Sequence, residues 1–190
     1  MDREKIKKAV TLLLEGIGED PTREGLVETP DRVARMCDEV LAGTAYSNED
    51  IARMFGKSFE QETDDDDYVL MDNITAFSYC EHHLALMYNM SVSVAYIPHG
   101  KVIGLSKIAR IVDMCSKRLQ LQEKLGADIA EVMQIATGSD DVAVVITGSH
   151  SCMTARGIKK PDAVTKTTTF RGRFKTDEGL QKRLIMQIGR

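Results

Sequence analysis

Two short clusters of metal-binding residue types, far apart in the chain, constrain the fold more than any other feature. Both combine cysteine with histidine, and they read Cys80-Glu81-His82-His83 and His150-Ser151-Cys152. Thiolate sulfur and imidazole nitrogen are ligands that zinc prefers, and three protein ligands with one open position make a catalytic zinc site. A fold that serves such a site must bring the two clusters together.

The spacing within each cluster is compatible with convergence on one ion. Cys80 and His83 are at i, i+3 and can meet across a turn. His150 and Cys152 are at i, i+2 and share one face if they continue a strand. A tetrahedral ion takes four ligands, and a catalytic ion usually takes three plus water. The clusters offer five candidate ligands, one more than a closed site needs. At least one imidazole is therefore expected to be metal-free. Spacing alone does not decide which histidine binds.

Two other interpretations of the clusters stay open at this point. One is a closed Cys2His2 structural zinc site, and the other is a coincidence of buried cysteines with hydrogen-bonded histidines. The long separation between the half-sites and the surplus histidine favour a catalytic site over both.

Length and composition predict one main domain with an appendage. The chain has 190 residues, of which 43% are hydrophobic and 28% charged, which is typical of a globular protein. No apolar run reaches the roughly 18 residues needed to span a bilayer, and the first residues lack the apolar stretch of a signal peptide. We therefore expect a cytoplasmic protein with no membrane partner.

The cysteines support a reducing compartment. The four cysteines would permit two disulfides in a secreted protein, but two of them stand beside histidines, which fits metal ligation better. Cys37 and Cys115 lie on the apolar stripes of predicted helices, where free cysteine behaves as a small buried hydrophobe. We assign no chemistry to these two.

The charge excludes one class of partner and leaves another open. A net charge of -4 argues against nonspecific nucleic-acid binding, which requires Lys and Arg to neutralise many phosphates. Salt screens charge interactions beyond about 8 Å, so the charge near a site matters more than the net charge of the chain. Binding of a small polyanion is therefore compatible with the net charge. The basic candidates near the two clusters are Lys107, Arg110, Arg156, Lys159 and Lys160.

Apolar periodicity predicts an N-terminal helical region. Residues 6–17 carry one helical stripe, and a second begins after Thr29 as N-cap and Pro30 in the first turn. The acidic run Glu60–Asp67 predicts a solvated loop at a boundary. These features divide the chain into a helical region of residues 1–66 and a catalytic domain of residues 67–190.

The catalytic domain predicts an α+β fold. Alternation from Tyr88 to Tyr96 indicates a half-buried strand, Ser106 is predicted to cap a helix, and a second helix covers about 119–136. Strands at 142–146 and 164–174 and a terminal helix follow. Two strands, two helices and two strands predict an antiparallel sheet with helices on one face, whose open edges favour oligomerisation.

Several further motifs identify a family. In order and spacing, the chain resembles GTP cyclohydrolase I from about residue 27 to residue 174. The matching segments, besides the two clusters, are Glu28-Thr29-Pro30-Asp31-Arg32-Val33, Ala95-Tyr96-Ile97-Pro98, Val102-Ile103-Gly104-Leu105-Ser106-Lys107, Gln120-Leu121-Gln122-Glu123 and Ala155-Arg156-Gly157. The chain departs from many relatives at residues 84–89 and 162–163, next to the ligands, where outer contacts can change activity 10- to 100-fold.

The resemblance implies a fold, an assembly and a reaction. The family has the tunnelling fold, in which the sheets of several subunits form a barrel, usually in a homodecamer of two pentameric rings with active sites at subunit interfaces. Its reaction opens the five-membered ring of the guanine in GTP, releases formate and forms 7,8-dihydroneopterin triphosphate, the first step of folate and pterin biosynthesis.

The resemblance also implies a ligand set and the proton-transfer residues. Carried over by position, Cys80, His83 and Cys152 are the Zn2+ ligands, with water in the fourth position. Zinc lowers the pKa of such a water to about 7. His82 and His150 are then free, and imidazole can donate and accept protons near neutral pH.

The substrate contacts are implied in the same way. A carboxylate can accept both donors of guanine's N1 and amine, and Glu123 matches that residue, with Gln122 as a second base contact. Ser106 and Lys107 lie at a predicted helix start that favours anions, although Ser106 can instead touch the ribose. The other implied triphosphate contacts are Arg110, Arg156 and, from a neighbouring subunit, Arg32.

Two alternative functions, one of a structural protein and one of a different enzyme, are also compatible with the sequence. One is a structural zinc protein without turnover, in which His82 or His150 closes the coordination sphere. The other is a sister tunnelling-fold enzyme acting on a related purine or deazapurine, such as a nitrile reductase. That chemistry needs a cysteine nucleophile and a nicotinamide cofactor, for which the sequence shows no separate signal.

Overall fold

We describe the fold from a computed structural model, which places residues 1–62 and 67–188. The helices are α1 (Arg3–Gly16), α2 (Thr29–Val40), α3 (Asn48–Phe55), α4 (Leu105–Ser116), α5 (Gln122–Thr137), α6 (Ser151–Thr154), α7 (Arg173–Thr176) and α8 (Glu178–Ile188), with a 3-10 turn at Ala42–Ala45. The strands are β1 (Ser58–Glu60), β2 (Val69–Cys80), β3 (Ala85–Tyr96), β4 (Lys101–Ile103), β5 (Leu119–Gln120), β6 (Val142–His150) and β7 (Thr165–Phe170).

The N-terminal helices begin at residues that satisfy free backbone NH groups. The side chain of Asp2 accepts a hydrogen bond from the backbone of Lys5 at the start of α1, and Ser47 forms a reciprocal capping box with Asp50 at the start of α3. Such caps stabilise a helix by about 1 kcal/mol. In α2 the helix already includes Thr29, so the predicted cap is displaced by one residue.

The described residues form a five-stranded sheet in the order β5-β2-β3-β6-β7. The pairs β2-β3, β3-β6 and β6-β7 are antiparallel, as the sequence predicts. The pair β2-β5 is parallel and joins Tyr79 to Leu119 and Cys80 to Gln120. The prediction of a wholly antiparallel sheet was therefore wrong at this edge, because a two-residue strand is too short to show any periodicity.

Helices α4 and α5 cover one face of the sheet and form the main core with it. Ile108 and Ile111 of α4 and Ile129 of α5 are fully buried in the same cluster as Val92 and Val94 of β3. This confirms the predicted α+β packing. The fold is thus a mixed helix and sheet structure whose apolar layer is continuous with the residues around Cys80.

The terminal helices do not follow the one-face prediction. Phe174 of α7 and Leu184 of α8 are buried against Ala95 and Ala143, which alternate with the core residues of β3 and β6 and face the other side of the sheet. Alternation shows that a residue faces the opposite side, but it does not show which helix covers it. Residue 174 was also predicted to end a strand, whereas β7 ends at Phe170.

The predicted boundary near residue 66 stays a prediction. Residues 63–66 of the acidic run lie outside the described residues, and so do residues 189 and 190. Strand β1, which precedes residues 63–66, pairs antiparallel with β4, which follows them. The buried residues Ile51 and Ala52 of α3 also belong to the main core. Within residues 1–62 and 67–188, every helix is too short or too polar to cross a bilayer.

Candidate active site

The strand register brings the two cysteine and histidine clusters to one end of the sheet, where strands β2 and β6 finish. Strands β2 and β6 both pair antiparallel with β3 and therefore run in the same direction. Ser78 of β2 and His150 of β6 pair with the same residue, Met87 of β3. The carboxyl ends of β2 and β6, at Cys80 and His150, consequently flank the start of β3.

Three ligand atoms converge at this end of the sheet. The sulfur atoms of Cys80 and Cys152 and a ring nitrogen of His83 all lie within 4.8 Å of one another. Cys80 is buried, Cys152 is half-buried and His83 is exposed. The convergence that the sequence predicts is thus present, and among the described residues His82 and His150 are outside this group.

The turn between β2 and β3 selects which histidine faces the cysteines. It spans Glu81 to Leu84, and Leu84 adopts a left-handed backbone with φ of 52°, which is uncommon for a residue other than glycine. The backbone NH of Glu81 donates to Gln120 O at 3.3 Å and ties the turn to β5. The ring of His82 is exposed, with its centroid 6.4 Å from that of His83.

Cys152 reaches the group from a helical turn. The prediction that His150 and Cys152 continue one strand was wrong, because β6 ends at His150 and α6 begins at Ser151. Two hydroxyl groups anchor α6 on β3: Ser151 Oγ donates to Leu86 O at 2.8 Å, and Tyr88 OH donates to Thr154 Oγ1 at 3.1 Å. No spacing pattern signals these contacts, since isolated hydroxyl residues are common on any surface.

The thiols are electrostatically suited to a cation. Burial raises the pKa of Cys152, and the neighbouring Cys80 sulfur raises it further. Two adjacent thiolates repel each other, whereas a divalent cation between them stabilises both and deprotonates a coordinating thiol outright. A set of two sulfurs and one imidazole fits zinc, so these residues could hold such an ion.

Arg156 lies against the same group. Its Nη1 donates to Nε2 of His83 at 2.7 Å. Because a guanidinium only donates, Nε2 of His83 accepts this bond, and an ion bound at Nε2 would take the place of Arg156. The positive charge of Arg156 also lowers the pKa of Cys152, although less than burial raises it. Lys159 and Lys160 follow on the exposed segment after α6.

His150 contacts a different set of residues. Its Nε2 lies 2.9 Å from Oε1 of Gln122, and Gln122 is only 1% exposed although a glutamine at a helix start is ordinarily solvated. Partial burial lowers the pKa of His150, and the negative charge of Glu123 opposes that shift. The structure therefore brings His150, Gln122 and Glu123 together beside the sulfur and nitrogen group.

Four predicted substrate residues lie elsewhere in the single chain. Ser106, Lys107 and Arg110 are in the first turns of α4, which confirms the predicted helix start, but Gly104 is the N-cap and Ser106 makes no cap bond. Arg32 of α2 pairs with Glu28 at 2.6 Å. In the described part of the chain, no hydrogen bond or ion pair joins these four side chains to the cysteine and histidine group, so their roles stay predictions.

The two remaining cysteines take no part in the site. Cys115 lies in the main core, where burial raises its pKa to about 12. Cys37 is half-buried on α2, and burial raises its pKa as well. Among the described residues, neither of them belongs to the group of converging ligand atoms, which agrees with the assignment of no chemistry.

Comparison with known proteins identifies close relatives over nearly the whole chain. The sequence profile of the GTP cyclohydrolase I family matches residues 6–189. The protein named GTP cyclohydrolase 1 of Clostridium acetobutylicum is 57% identical over 97% of this chain and 96% of its own length. The proteins of that name from Ruminiclostridium cellulolyticum and Clostridium botulinum strain Kyoto are 57% and 55% identical, each over 98% of this chain and 97% of their own length. Among solved structures, the apo form of the archaeosine synthase QueF-Like aligns with a TM-score of 0.43 and 21% identity, over 58% of this chain and 97% of that one.

Proposed function

Because this chain belongs to the GTP cyclohydrolase I family, we propose that it opens the five-membered ring of the guanine in GTP, releases formate and forms 7,8-dihydroneopterin triphosphate. The observation that carries the proposal is the convergence of Cys80, His83 and Cys152 within 4.8 Å. A group of two sulfurs and one imidazole at the ends of β2 and β6 agrees with the family and the enzyme class.

The three converging residues are the proposed Zn2+ ligands. Two sulfurs and one imidazole leave one of four tetrahedral positions for water or substrate. When bound, the ion supplies Lewis acidity and lowers the pKa of a coordinated water to about 7. Thiol ligands also require a reducing environment, which supports a cytoplasmic location.

His150 and His82 are the proposed proton-transfer residues. Ring opening and loss of formate require protons to be delivered to purine nitrogens and to departing groups, and imidazole does this near neutral pH. His150 is half-buried beside the ligand group and held by Gln122, so its ring has a defined position. His82 is on the exposed turn next to the ligand His83, where it can reach a bound substrate.

Glu123 is the proposed reader of the guanine base. Its two carboxylate oxygens can accept the hydrogen bonds of guanine N1 and the exocyclic amine, a donor pair that adenine lacks. Glu123 is exposed, and its charge is felt at His150. Gln122 is proposed to contact the base through its backbone, because the first NH groups of a helix have no partner within it.

The triphosphate is proposed to bind at the start of α4 and along the arginines. Lys107 and Arg110 lie in the first two turns of α4, and the start of a helix favours anions. Arg156 approaches from the ligand group, and Arg32 is supplied by a neighbouring subunit. Ser106, in the same turn as Lys107, is proposed to act on the ribose during recyclisation.

A homodecamer of two pentameric rings with the sheets joined into a barrel is the proposed assembly. Within the described residues, β7 is an edge strand, and an open edge invites pairing with another chain. Phe77 of β2 is 58% exposed in the single chain, and a neighbouring subunit in the proposed assembly could cover it. An active site shared between subunits explains why Arg32 and the start of α4 do not touch the ligand group within one chain. We propose no nucleic-acid or membrane partner.

Turnover of GTP by the zinc-loaded protein tests the proposal. We expect formate and a pterin product from the parent and essentially none from Cys152→Ala, which removes one ligand. Cys37→Ala is the matched control, since Cys37 lies outside the site, and it should retain turnover.

The possible results separate the alternatives. Equal turnover by the parent and Cys152→Ala would reject the metal assignment. Stoichiometric zinc without formate would instead support a structural zinc protein, and turnover of a deazapurine in place of GTP would support the sister enzyme.

A further inference from the structure

The nitrogen end of the Gln122 amide is fixed by its neighbours. Its Nε2 lies 3.1 Å from Ile146 O, 3.3 Å from Thr165 O and 3.1 Å from Thr167 Oγ1, on strands β6 and β7. Two of these partners are backbone carbonyl oxygens, which only accept hydrogen bonds. An amide oxygen in this position would face them and leave buried groups unpaired, at a cost of roughly 1–3 kcal/mol each. The chemistry therefore fixes which end is NH2.

The oxygen end of the same amide faces the histidine. With its nitrogen turned toward the strands, Gln122 presents Oε1 to Nε2 of His150 at 2.9 Å. An amide oxygen only accepts, so the proton in this bond must belong to Nε2 of His150. A neutral imidazole carries a single ring proton, and Nδ1 of His150 is consequently left with its lone pair free.

A glycine leaves room for this arrangement. A Cβ atom on Gly148, two residues before His150 in β6, would stand 3.2 Å from Gln122 Oε1 and 3.0 Å from Met90 Cγ. Both distances are tighter than ordinary van der Waals contact. A larger residue at this position would require Gln122 or Met90 to shift, so the strand leaves little spare room around the bond.

We propose that Gln122 is a positioning residue that holds the ring of His150 in one orientation, with Nε2-H bonded to the amide oxygen and Nδ1 as the ring nitrogen left for the substrate. The proposal rests on the proposed function for the identity of that substrate. The bond to Gln122 Oε1 thereby fixes both the orientation of the ring and the nitrogen that carries the proton.

The position of the ring proton can be measured directly. The chain has only four histidines, so solid-state NMR of zinc-loaded protein with 13C,15N-labelled histidine resolves them, and His150→Asn identifies the signals of His150. At pH about 8, above the ordinary histidine pKa of about 6.5, we expect a protonated Nε2 and an unprotonated Nδ1. A proton on Nδ1, or a metal on Nε2, would overturn the proposal whatever the variants show.

A variant tests whether Gln122 is the cause. Gln122→Met keeps the length of the side chain and removes both amide ends, and we expect a mixture of the two ring forms and a kcat for GTP that is about 10- to 100-fold lower, the usual range for such supporting contacts. KM should stay within about twofold, because the side chain is engaged inside the protein. Gln134→Met, on the same helix and bonded to Asp140 O, is the matched control and should behave as the parent.

The outcomes for the two proposals are distinguishable. An Nε2-H ring in the parent without formate from GTP would end the proposed function and leave the positioning role standing. Formate production with an unchanged ring form in Gln122→Met would end the positioning role and leave the function standing. A loss confined to KM would also overturn it, since that result indicates a substrate contact.

Discussion

Removal of the Arg118 guanidinium is expected to destabilise the protein without touching the active site. Its Nη1 donates to Asp128 Oδ2 and Asn48 Oδ1, both at 2.8 Å, while Nε and Nη2 donate to the backbone oxygens of Gly43 and Tyr46 at 3.1 Å and 2.8 Å. The side chains of Arg118 and Asp128 are 13% and 9% exposed. One guanidinium thus joins the connection between α2 and α3 to helix α5.

The magnitude follows from what Arg118→Ala leaves behind. Breaking a buried ion pair by removing one partner costs about 3–5 kcal/mol. Here Lys124 still pairs with Asp128 Oδ2 at 2.5 Å, which places the loss near the lower end, at about 3 kcal/mol. For a chain of this size that corresponds to a fall in Tm of roughly 6–12 °C. Arg118→Lys should recover only part, since an ammonium cannot reproduce the fork.

Thermal and urea unfolding at fixed protein and zinc concentrations measure this loss, because assembly and metal binding both shift apparent stability. The matched control is Arg53→Ala, which removes an ion pair of a 77% exposed side chain with Asp50 and should change stability by less than about 0.5 kcal/mol. The free energy of unfolding of Arg118→Ala could instead lie within about 1 kcal/mol of the parent's, which is roughly a fivefold difference in the unfolding equilibrium. In that case the buried network does not carry the stability assigned to it.

Two further predictions concern backbone strain and thiol chemistry. Gly172→Ala should lower the free energy of unfolding by roughly 3 kcal/mol, because Gly172 has φ of 53° and an added Cβ would stand 2.1 Å from Asp141 Oδ1; an unchanged urea midpoint would contradict that contact. Burial raises the pKa of Cys115 from 9.0 to about 12, so at pH 9.0 it stays a protonated thiol and should resist iodoacetamide until the protein unfolds, as followed by mass spectrometry. Rapid alkylation of Cys115 in the native protein would contradict this and show that the thiol is accessible. Because the pKa is higher in the folded state, the associated stability is present below pH 9.0 and is lost as the pH rises toward 12.

Short-range patterns predicted much of the fold. Alternation over Tyr88 to Tyr96 identified β3, helical spacing identified α4 and α5, and the separation of Cys80 from Cys152 required two distant segments to meet. These predictions succeed because periodicity records which face of a local element is buried. The choice of His83 as a ligand rested on resemblance, since spacing does not distinguish it from His82.

Contacts between segments distant in sequence had to come from the tertiary structure. The parallel pairing of β5, the helical turn that carries Cys152, and the placement of α8 on the opposite face have no periodic signal. Gln122 shows the difference most clearly, because its burial depends on how α5 docks over β6 and β7.

The amino-acid sequence by itself determined which chemical groups are available, where each local element begins and which side of it is apolar. Only the tertiary structure decided which of those groups face one another at Cys80, His83, His150 and Cys152. The physical reason is that local preferences act over a few residues, whereas strand register and helix docking are set by the packing of the whole core.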